Sequence, residues 1–360
     1  MLREGLIAVV GATGAVGREA LAILAERGVP ASRVRALASE RSHGLRVRYG
    51  QTEVGVATLG ERSFEDAGTA VFAADAETAR RFVPIALRAG AFVVDNSSAF
   101  RADPGVPLVV PEINGDLVTP GTRLVANPNC STTILLLALE PLRRAFGVEA
   151  IDVATYQAVS GAGLAGIDAL VRETRESLGT LEREGPEIGW TLPDAGGSGG
   201  VFAEPCAFNV FSHDSPVDPS TGVNAEERKM IDETRRIWAD PTVRVTPTCV
   251  RVPALRAHTQ AITATLRTPA REGDVLDALA GGRGLRIVDD RGANAFPTPR
   301  KAAGRDGVLV GRVRPDPGEP AGPGATHRRW CLLVSGDQLR KGAALNALQI
   351  AGLAHVPAMA

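Results

Sequence analysis

A glycine-rich turn near the N-terminus is the feature that most constrains the fold of this chain. The apolar run Leu6–Val10 is typical of a strand, Gly11–Gly17 follows at once, and Arg18–Arg27 continues as a helix. The glycines permit a tight turn and let a pyrophosphate approach the N-terminus of the helix. The spacing is G-x-x-G-x-x-G rather than G-x-G-x-x-G, so a plain strand-to-helix turn is the alternative. In this context the motif predicts a dinucleotide-binding Rossmann domain.

The end of the second predicted strand, Val34–Ser39, indicates which dinucleotide binds. In such domains this strand end lies beside the adenosine ribose, where an acidic residue typically accepts from the 2′-OH of NAD. Glu40 alone would therefore indicate NAD. Arg41, between Ser39 and Ser42, suits the 2′-phosphate of NADP better, because a guanidinium pairs with phosphate oxygens in a fork. We predict NADP, with Glu40 as the argument for NAD.

The remaining apolar runs divide the chain into two kinds of structure. Up to about residue 130 strands and helices alternate in the doubly wound manner, and beyond it longer runs are typical of a mixed or antiparallel sheet. The further parallel strands are predicted at Val71–Ala74, Phe92–Asp95 and Leu124–Ala126, and the later strands at Glu149–Val159, Ala207–Phe211, Ala261–Leu266 and Val308–Val313. We predict an α/β fold, with a Rossmann domain over residues 1–129 and an α+β domain with a mixed sheet over residues 130–336.

Three further segments complete this description. Residues 179–200 and 316–326 are rich in Gly and Pro and predict exposed loops. The run Gln338–Leu353 has apolar residues at helical spacing. We expect this C-terminal helix, within residues 337–360, to pack on the first domain and complete it.

Composition excludes several classes of protein. A chain of 360 residues suffices for two domains, and a formal net charge of −1 argues against a nucleic-acid partner. No apolar run approaches the ~20 residues that span a bilayer. Met1–Glu4 leads directly into the first strand, which leaves no room for a signal peptide. The four cysteines lack C-x-x-C spacing, so we expect neither a metal site nor disulfides, and a cytoplasmic location.

Cys130 lies where a predicted strand turns into a predicted helix. Leu124–Ala126 ends the strand, Asn129 is placed to cap, and Thr132–Arg144 has the composition of a helix. A thiol in the first turn is close to unpaired N–H groups and the positive end of the helix dipole, which favour the thiolate. The same N–H groups can hold an oxyanion on an attacked carbonyl. A buried structural thiol is the alternative.

A nucleophilic thiol needs a general base, for which histidine is the first candidate. Among five histidines, His258 stands out because it lies at the entry of a strand-like run, seven residues after Arg251. A lone histidine in a loop is otherwise a surface or structural residue. We therefore take His258 as the candidate base for Cys130.

Several motifs together carry a resemblance to a known family. Besides Gly11–Gly17, they are Asn96–Arg101, Val110–Asn114, Ala126–Thr132, Tyr156–Gly163, Cys249–His258, Phe296–Pro299 and Leu339–Ala347. Almost end to end, the chain resembles bacterial aspartate-β-semialdehyde dehydrogenases. The resemblance implies an NADP-dependent phosphorylating aldehyde dehydrogenase that interconverts L-aspartate 4-semialdehyde and L-4-aspartyl phosphate through a cysteine thioester. It also implies that the second domain is catalytic and forms the contact of a homodimer, and it leaves the pairing of dimers into tetramers open.

The resemblance also implies a role for individual residues. Cys130 would be the nucleophile, His258 the base, and Gln157 the group that orients the acyl intermediate. Arg251 would bind the substrate carboxylate and Glu226 its amino group. The implied phosphate-binding residues are Arg101, Lys229 and Asn129. The implied cofactor contacts are Gly11, Ala12, Thr13, Gly14, Ala15, Val16, Ser39, Glu40, Arg41, Ser42, Ser160, Gly161 and Gln338.

Without the resemblance, these residues have simpler interpretations. Glu226 and Lys229 would be an i,i+3 pair on a solvated helix face. The chain also departs from the family pattern. Asp75 and Glu77 replace small residues near the expected cofactor, and Leu45 stands where a basic residue is common. Asp337-Gln338 replaces a more usual Asp-Asn.

Three other functions stay open at this level. An N-acetylglutamyl-phosphate reductase or a CoA-acylating dehydrogenase would keep the cysteine and histidine. Either would lose the pairing of Arg251 and Glu226 with a free amino acid, and the CoA enzyme would not need Arg101 and Lys229 for phosphate. A non-catalytic NADP-binding paralogue is the third alternative, although such a sensor would not need the base.

Overall fold

The computed structural model describes residues 5–184, 200–319 and 324–354, which form two sheets with helices packed against them. The strands are β1 (Leu6–Val10), β2 (Val34–Ala38), β3 (Arg46–Tyr49), β4 (Thr52–Thr58), β5 (Ala67–Phe72), β6 (Phe92–Asp95), β7 (Leu124–Ala126), β8 (Val148–Ala158), β9 (Phe211–Ser212), β10 (Arg244–Val252), β11 (His258–Ala270), β12 (Leu285–Ile287), β13 (Val308–Pro315) and β14 (His327–Gly336). The helices are α1 (Ala15–Glu26), α2 (Ala76–Arg88), α3 (Pro111–Asn114), α4 (Cys130–Phe146), α5 (Gly163–Glu184), α6 (Ala225–Ile237), α7 (Glu272–Ala280), α8 (Pro299–Ala302) and α9 (Leu345–Leu353).

The first sheet has the strand order β3-β4-β2-β1-β5-β6-β7. Strand β1 pairs in parallel with β2 on one side and with β5 on the other, whereas β3 pairs antiparallel with β4. The chain thus builds outward in both directions from β1, and the carboxyl ends beside β1 form the crevice in which doubly wound sheets bind ligands. This arrangement confirms the predicted Rossmann fold. The β3–β4 hairpin is an addition that the sequence analysis did not predict.

The glycine turn after β1 fits only residues without a side chain. Gly11 has φ +80°, and a Cβ at this position would lie 2.3 Å from the carbonyl oxygen of Ala73. A Cβ at Gly17 would lie 2.1 Å from the carbonyl oxygen of Gly11. Gly14 is the N-cap of α1 and has no side chain to occupy the first N–H groups of the helix. The turn therefore brings β1 and α1 together and leaves the N-terminus of α1 accessible.

The second sheet has the order β12-β13-β14-β11-β8-β10-β9 and is mixed, as predicted. Strand β8 pairs in parallel with β10 and antiparallel with β11. Helix α4 covers one face, where Leu135 and Leu139 share a core cluster with Ile262 and Trp330. The carboxyl ends of β8 and β10 and the start of β11 therefore lie near the N-terminus of α4.

The C-terminal segment returns to the first sheet. One turn of π-helix, Arg340–Ala344, leads into α9, and Leu345 and Leu348 share a core cluster with Ile7 and Val9. Helix α9 therefore packs against the first sheet. The domain boundaries at residues 129 and 336 remain a proposal.

Two predicted segments differ from the structure. A strand was predicted at Ala207–Phe211, but only Phe211–Ser212 pairs with β10. Phe208 has φ +57°, and the side chain of Asn209 donates to the carbonyl of Pro205, so this stretch turns instead of extending. Helix α5 continues to Glu184 inside the predicted loop, and residues 185–199 lie outside the described ranges.

The predicted loop at residues 316–326 lies between β13 and β14, with residues 320–323 outside the described ranges. Within the described chain, none of the helices combines the length and apolar character needed to cross a bilayer.

Candidate active site

Cys130 is the first residue of α4, and Asn129 is its N-cap. Asn129 Oδ1 accepts hydrogen bonds from the backbone N–H groups of Ser131 (2.9 Å) and Thr132 (3.1 Å). The predicted cap is therefore confirmed. The expectation that these first-turn N–H groups are free to hold a thiolate or an oxyanion is wrong, because the cap already occupies them.

His258, at the start of β11, lies behind the thiol. Its Nε2 is 3.5 Å from Cys130 Sγ, and its Nδ1 accepts a hydrogen bond of 3.0 Å from the backbone N–H of Ala158. Because Nδ1 is an acceptor, the single proton of the neutral imidazole is on Nε2. His258 therefore points a donor at the sulfur.

Burial keeps this pair neutral. Desolvation, reinforced by the charge of Arg251, lowers the pKa of His258 to about 3. Desolvation, reinforced by the charge of Glu226, raises the pKa of Cys130 to about 11, while Arg101 and Arg251 act in the opposite direction. Cys130 is therefore a thiol at neutral pH, and the predicted stabilisation of the thiolate does not outweigh desolvation.

Glu226 is the centre of a polar network at the start of α6. Its side chain is buried, with Oε1 accepting from Asn129 Nδ2 (2.8 Å) and Gln157 Nε2 (3.3 Å), and Oε2 from Lys229 Nζ (3.3 Å). Burial opposes ionisation, but His213, Lys229 and these hydrogen bonds outweigh it and lower the pKa of Glu226 to about 2. Glu226 is therefore a buried carboxylate, not part of a solvated helix face.

Arg251, on β10, is almost fully buried, with 2% of its surface exposed. Its Nη1 donates to the carbonyl oxygen of Ala158 at 3.1 Å, and its guanidinium carbon lies 5.4 Å from the ring centre of Phe202. Asp214 and His213 contact the remaining nitrogens. The guanidinium is thus fixed in place by several elements at once.

Arg101 is held by a residue that the sequence analysis missed. Glu233 Oε1 accepts from Arg101 Nη1 at 3.2 Å, and Glu233 Oε2 accepts from the backbone N–H of Asn129 at 2.6 Å. Glu233 therefore ties Arg101 to the residue before the thiol. The available signal was helical spacing, since Glu226, Lys229 and Glu233 follow one another along one face of α6.

These side chains meet in one cavity of about 530 Å³. It brings together most of the predicted catalytic, substrate and phosphate residues, and the fully buried His258 contacts Cys130 without itself lining the cavity. The predicted residues that line it are Gly14, Ala15, Val16, Arg101, Asn129, Cys130, Gln157, Ser160, Gly161, Glu226, Lys229, Arg251 and Gln338.

A second cavity of about 470 Å³ continues from the first, with which it shares Gly14 and Ala73. The predicted cofactor residues in its lining are Gly11, Thr13, Gly14, Ser39 and Arg41. Ser42 Oγ lies 3.4 Å from Thr13 Oγ1 beside it, Ala12 is buried, and Glu40 is exposed without lining it. The two cavities form a groove from Arg41 to Cys130, joined at Gly14 and Ala73.

Two of the residues that depart from the family pattern, Asp75 and Gln338, make defined contacts. Asp75 is the N-cap of α2 and accepts from the backbone N–H of Thr78 at 2.8 Å, a bond that lowers its pKa. Arg81, which the sequence analysis missed, also lines the second cavity and adds a positive charge there. Gln338 accepts from the backbone N–H of Ala257 at 2.8 Å and donates to Ser160 Oγ.

Comparisons with known proteins agree with this architecture. A family model described as "semialdehyde dehydrogenase, NAD binding domain" matches residues 6–119, and one described as "semialdehyde dehydrogenase, dimerisation domain" matches residues 139–341. The chain is 40% identical over 347 residues to an aspartate-semialdehyde dehydrogenase of Synechocystis, covering 96% of each chain. The chain belongs to the aspartate-semialdehyde dehydrogenase family.

Other members of this family are similarly close. Aspartate-semialdehyde dehydrogenase 2 of Vibrio cholerae is 41% identical over 357 residues, covering 98% of each chain. A crystal structure of aspartate semialdehyde dehydrogenase II complexed with ASA, from the same organism, superposes with a TM-score of 0.86 at 39% identity and covers 98% of each chain. The resemblance and the fold class predicted from the sequence are therefore confirmed, and the first domain is of the NAD-binding type.

Proposed function

We propose that the protein interconverts L-aspartate 4-semialdehyde, phosphate and NADP⁺ with L-4-aspartyl phosphate and NADPH through a thioester on Cys130. The observation that carries the proposal is the Cys130 Sγ to His258 Nε2 distance of 3.5 Å, in a cavity that also presents Arg251 and Glu226. We place the reaction in the biosynthesis of lysine, threonine and methionine, with net flow towards the semialdehyde.

The thiol supplies the covalent step. In the oxidative direction Cys130 sulfur adds to the aldehyde carbon and gives a thiohemiacetal. A dinucleotide held in the groove would supply an oxidised nicotinamide that accepts the hydride lost when this thiohemiacetal becomes a thioester. Attack of phosphate on the thioester carbon then releases the acyl phosphate and frees the Cys130 sulfur.

His258 handles the proton on the reacting oxygen. Because the Ala158 N–H donates to Nδ1, the proton of His258 is on Nε2, which faces Cys130 Sγ. This N–H can donate a hydrogen bond to an oxyanion formed on the carbon that the sulfur attacks. To take the hydroxyl proton in the oxidative direction, Nε2 must be free, which requires Nδ1 to carry the proton and release Ala158. We therefore assign a base role for His258 to a state with substrate bound, and a donor role to the resting state.

Two charged residues recognise the two ends of the amino acid. Arg251 binds the carboxylate with its planar guanidinium, and the ionised Glu226 binds the ammonium group. Gln157, whose Nε2 lies 3.3 Å from Glu226, orients the acyl group on the sulfur. Arg101 and Lys229, which line the same cavity, bind phosphate, with Asn129 assisting.

The groove accommodates a dinucleotide in a defined direction. The turn at Gly11 permits close approach of a pyrophosphate to the N-terminus of α1. Arg41 lines the adenosine end and Glu40 does not, which favours NADP over NAD. Ser160, Gly161 and Gln338 lie near Cys130, where the nicotinamide must reach.

The protein acts as a homodimer in this proposal. The face of the second sheet opposite α4 is partly exposed, and Tyr156 there pairs with Val250 and Thr259 on the adjacent strands. Tyr156 remains 39% exposed, and the half-buried Leu333 lies opposite Ala261 farther along the same face. A second copy would cover this patch. Pairing of dimers into tetramers is compatible with this contact, and a cytoplasmic location would keep Cys130 reduced.

A single assay tests the proposed reaction. Aspartate semialdehyde should reduce NADP⁺ only when phosphate or arsenate is present. Activity that requires coenzyme A would instead indicate a CoA-acylating relative, and preference for N-acetylglutamate semialdehyde would indicate the reductase of that substrate. Cofactor binding without turnover of any of these aldehydes would indicate a non-catalytic paralogue.

A further inference from the structure

The carboxylate-binding edge of Arg251 is already occupied by the chain itself. Asp214 Oδ1 accepts from Arg251 Nε at 3.1 Å and also from Nη2. Nη2 lies 2.9 Å from His213 Nε2, and Nη1 donates to the Ala158 carbonyl oxygen. An incoming carboxylate therefore meets a guanidinium whose Nε–Nη2 edge already binds a carboxylate.

Asp214 and Arg251 differ in their freedom to respond. Arg251 is 2% exposed and is held by the Ala158 carbonyl and the ring of Phe202. The side chain of Asp214 is 25% exposed and faces the same cavity as Glu226. The charge of Arg251 holds the pKa of Asp214 below its usual value despite burial, so this carboxylate is charged at neutral pH. When a ligand enters, Asp214 is the partner that can move.

We propose that Asp214 is a specificity-determining residue that occupies Arg251 in the empty site and passes to the substrate ammonium group on binding. This inference rests on the proposed function and deepens it. In an α-amino acid the carboxylate and the ammonium group share one carbon. A substrate carboxylate that takes the Arg251 edge therefore places its ammonium group beside the displaced Asp214, on the side of the cavity where Glu226 lies.

A semialdehyde without the amino group brings a negative charge, but no positive charge, to the acidic residues Asp214 and Glu226. Its carboxylate must share Arg251 with Asp214 while it supplies no cation to either acidic residue. Like charges in such contact disfavour binding, so Asp214 excludes the analogue by repulsion as well as by the absence of a partner. Arg251 and Glu226 alone would provide attraction but would lack this repulsive element.

The test compares aspartate semialdehyde with succinic semialdehyde in Asp214→Asn. The neutral amide no longer repels a carboxylate, so kcat/KM for succinic semialdehyde should rise at least about tenfold relative to that for aspartate semialdehyde. Asp218→Asn is the matched control, because Asp218 is in the same loop but bonds to Ser220 and Thr221. This control should leave the ratio unchanged. An equal change for both substrates in Asp214→Asn would overturn the proposal.

A binding measurement separates this inference from the proposed function. Calorimetric titration with succinate, which lacks an amino group, should show at least about tenfold tighter binding to Asp214→Asn than to the wild type. Equal succinate affinities would refute the role of Asp214 even if the enzyme oxidises aspartate semialdehyde. If the wild type lacks that activity, the titration still measures how strongly Asp214 competes with succinate for the guanidinium of Arg251. Should Asp214→Asn fail to fold, Asp214→Ser is tested in the same way with the same expected result.

Discussion

The dinucleotide groove and the thiol centre are built in opposite ways. The groove uses backbone and contiguous sequence, since Gly11–Gly17 forms the turn and Arg41 follows the next strand. The centre gathers Cys130 from α4 and His258 from β11, and it adds buried charges from α6 and β10. A groove of this type depends on backbone shape, whereas the centre depends on side chains that fix one another by hydrogen bonds.

This contrast implies that a substitution can impair the chemistry at the thiol centre without impairing cofactor binding in the groove, and the reverse. Contacts between them are concentrated at Gly14 and Ala73, which line both cavities, and at Gln338, which bonds to Ser160 and Ala257. Substitutions at Cys130 and at Arg41 should therefore separate chemistry from cofactor binding.

The largest effect is expected at the nucleophile. Cys130→Ser should lose turnover by several orders of magnitude, because a serine alkoxide is not accessible at neutral pH. Fluorescence titration should show near-normal NADPH affinity, since the side chain is small and the groove is intact. An active serine variant, or loss of NADPH binding equal to the loss of turnover, would contradict the division between the two regions.

The second prediction uses the raised pKa of Cys130, about 11, in the empty site. Below that value the thiolate fraction, and with it the rate of alkylation by iodoacetamide, should rise about tenfold per pH unit. Peptide mass spectrometry from pH 7 to 9 should show this slope at Cys130. The buried Cys206 and Cys249, whose pKa values are raised to about 12, are internal controls and should react more slowly. A plateau of the Cys130 rate near neutral pH would instead indicate a thiolate stabilised by a protonated His258.

The third prediction breaks the groove alone. Arg41→Ala should reduce the preference for NADP over NAD by roughly 1.5–3 kcal/mol, the scale of a hydrogen bond to a charged group. The ratio of kcat/KM for the two cofactors measures this change, and kcat at saturating cofactor should stay near that of the wild type. Arg48→Ala is the matched control, because Arg48 is exposed on β3 and bonds to the carbonyl of Gly50. If the wild type uses both cofactors equally, Glu40 rather than Arg41 reads the ribose.

The same contrast explains how much could be predicted from the sequence. The strand, glycine turn and helix of the groove are local, so their pattern predicted both the fold and the cofactor class. The position of Cys130 was also readable, because Asn129 is a strong capping residue. The pairing of Cys130 with His258 spans 128 residues, and no local pattern specifies it. The position of His258 at a strand entry made it only a candidate, and the family resemblance supplied the stronger argument for the pair.

What the sequence could not provide is the balance of burial and charge. The helix N-terminus indicated a thiolate, but desolvation raises the pKa of Cys130, and Asn129 accepts from the N–H groups of Ser131 and Thr132. Glu226 resembled a solvated residue because its helix is polar by composition. Its burial against Asn129 and Gln157 arises from contacts between distant segments. Asp214 escaped notice for the same reason, since its partner Arg251 is on another element.

Discrimination between substrates is expected to arise at the thiol centre and not in the dinucleotide groove. Succinic semialdehyde has the carboxylate and the aldehyde of the proposed substrate but lacks its ammonium group. Glu226 is buried and ionised, so the analogue leaves this charge without its ligand partner. A hydrogen bond to a charged group contributes about 1.5–3 kcal/mol, so the added ammonium contact should make kcat/KM favour aspartate semialdehyde by at least ~10–100-fold.

Two variants of the binding residues should affect this discrimination differently. Glu226→Gln removes the charge but keeps the shape of the side chain and the contacts to Asn129 and Gln157. It should therefore lower kcat/KM more for aspartate semialdehyde than for succinic semialdehyde, which reduces the ratio of the two values. Arg251→Lys should lower kcat/KM for both aldehydes, because a point charge cannot replace the planar guanidinium that positions the carboxylate they share. Steady-state kinetics with both aldehydes measures each effect. If Glu226→Gln leaves the ratio unchanged, the ammonium group is read elsewhere in the cavity, and the assignment of Glu226 fails while the Cys130–His258 chemistry is unaffected.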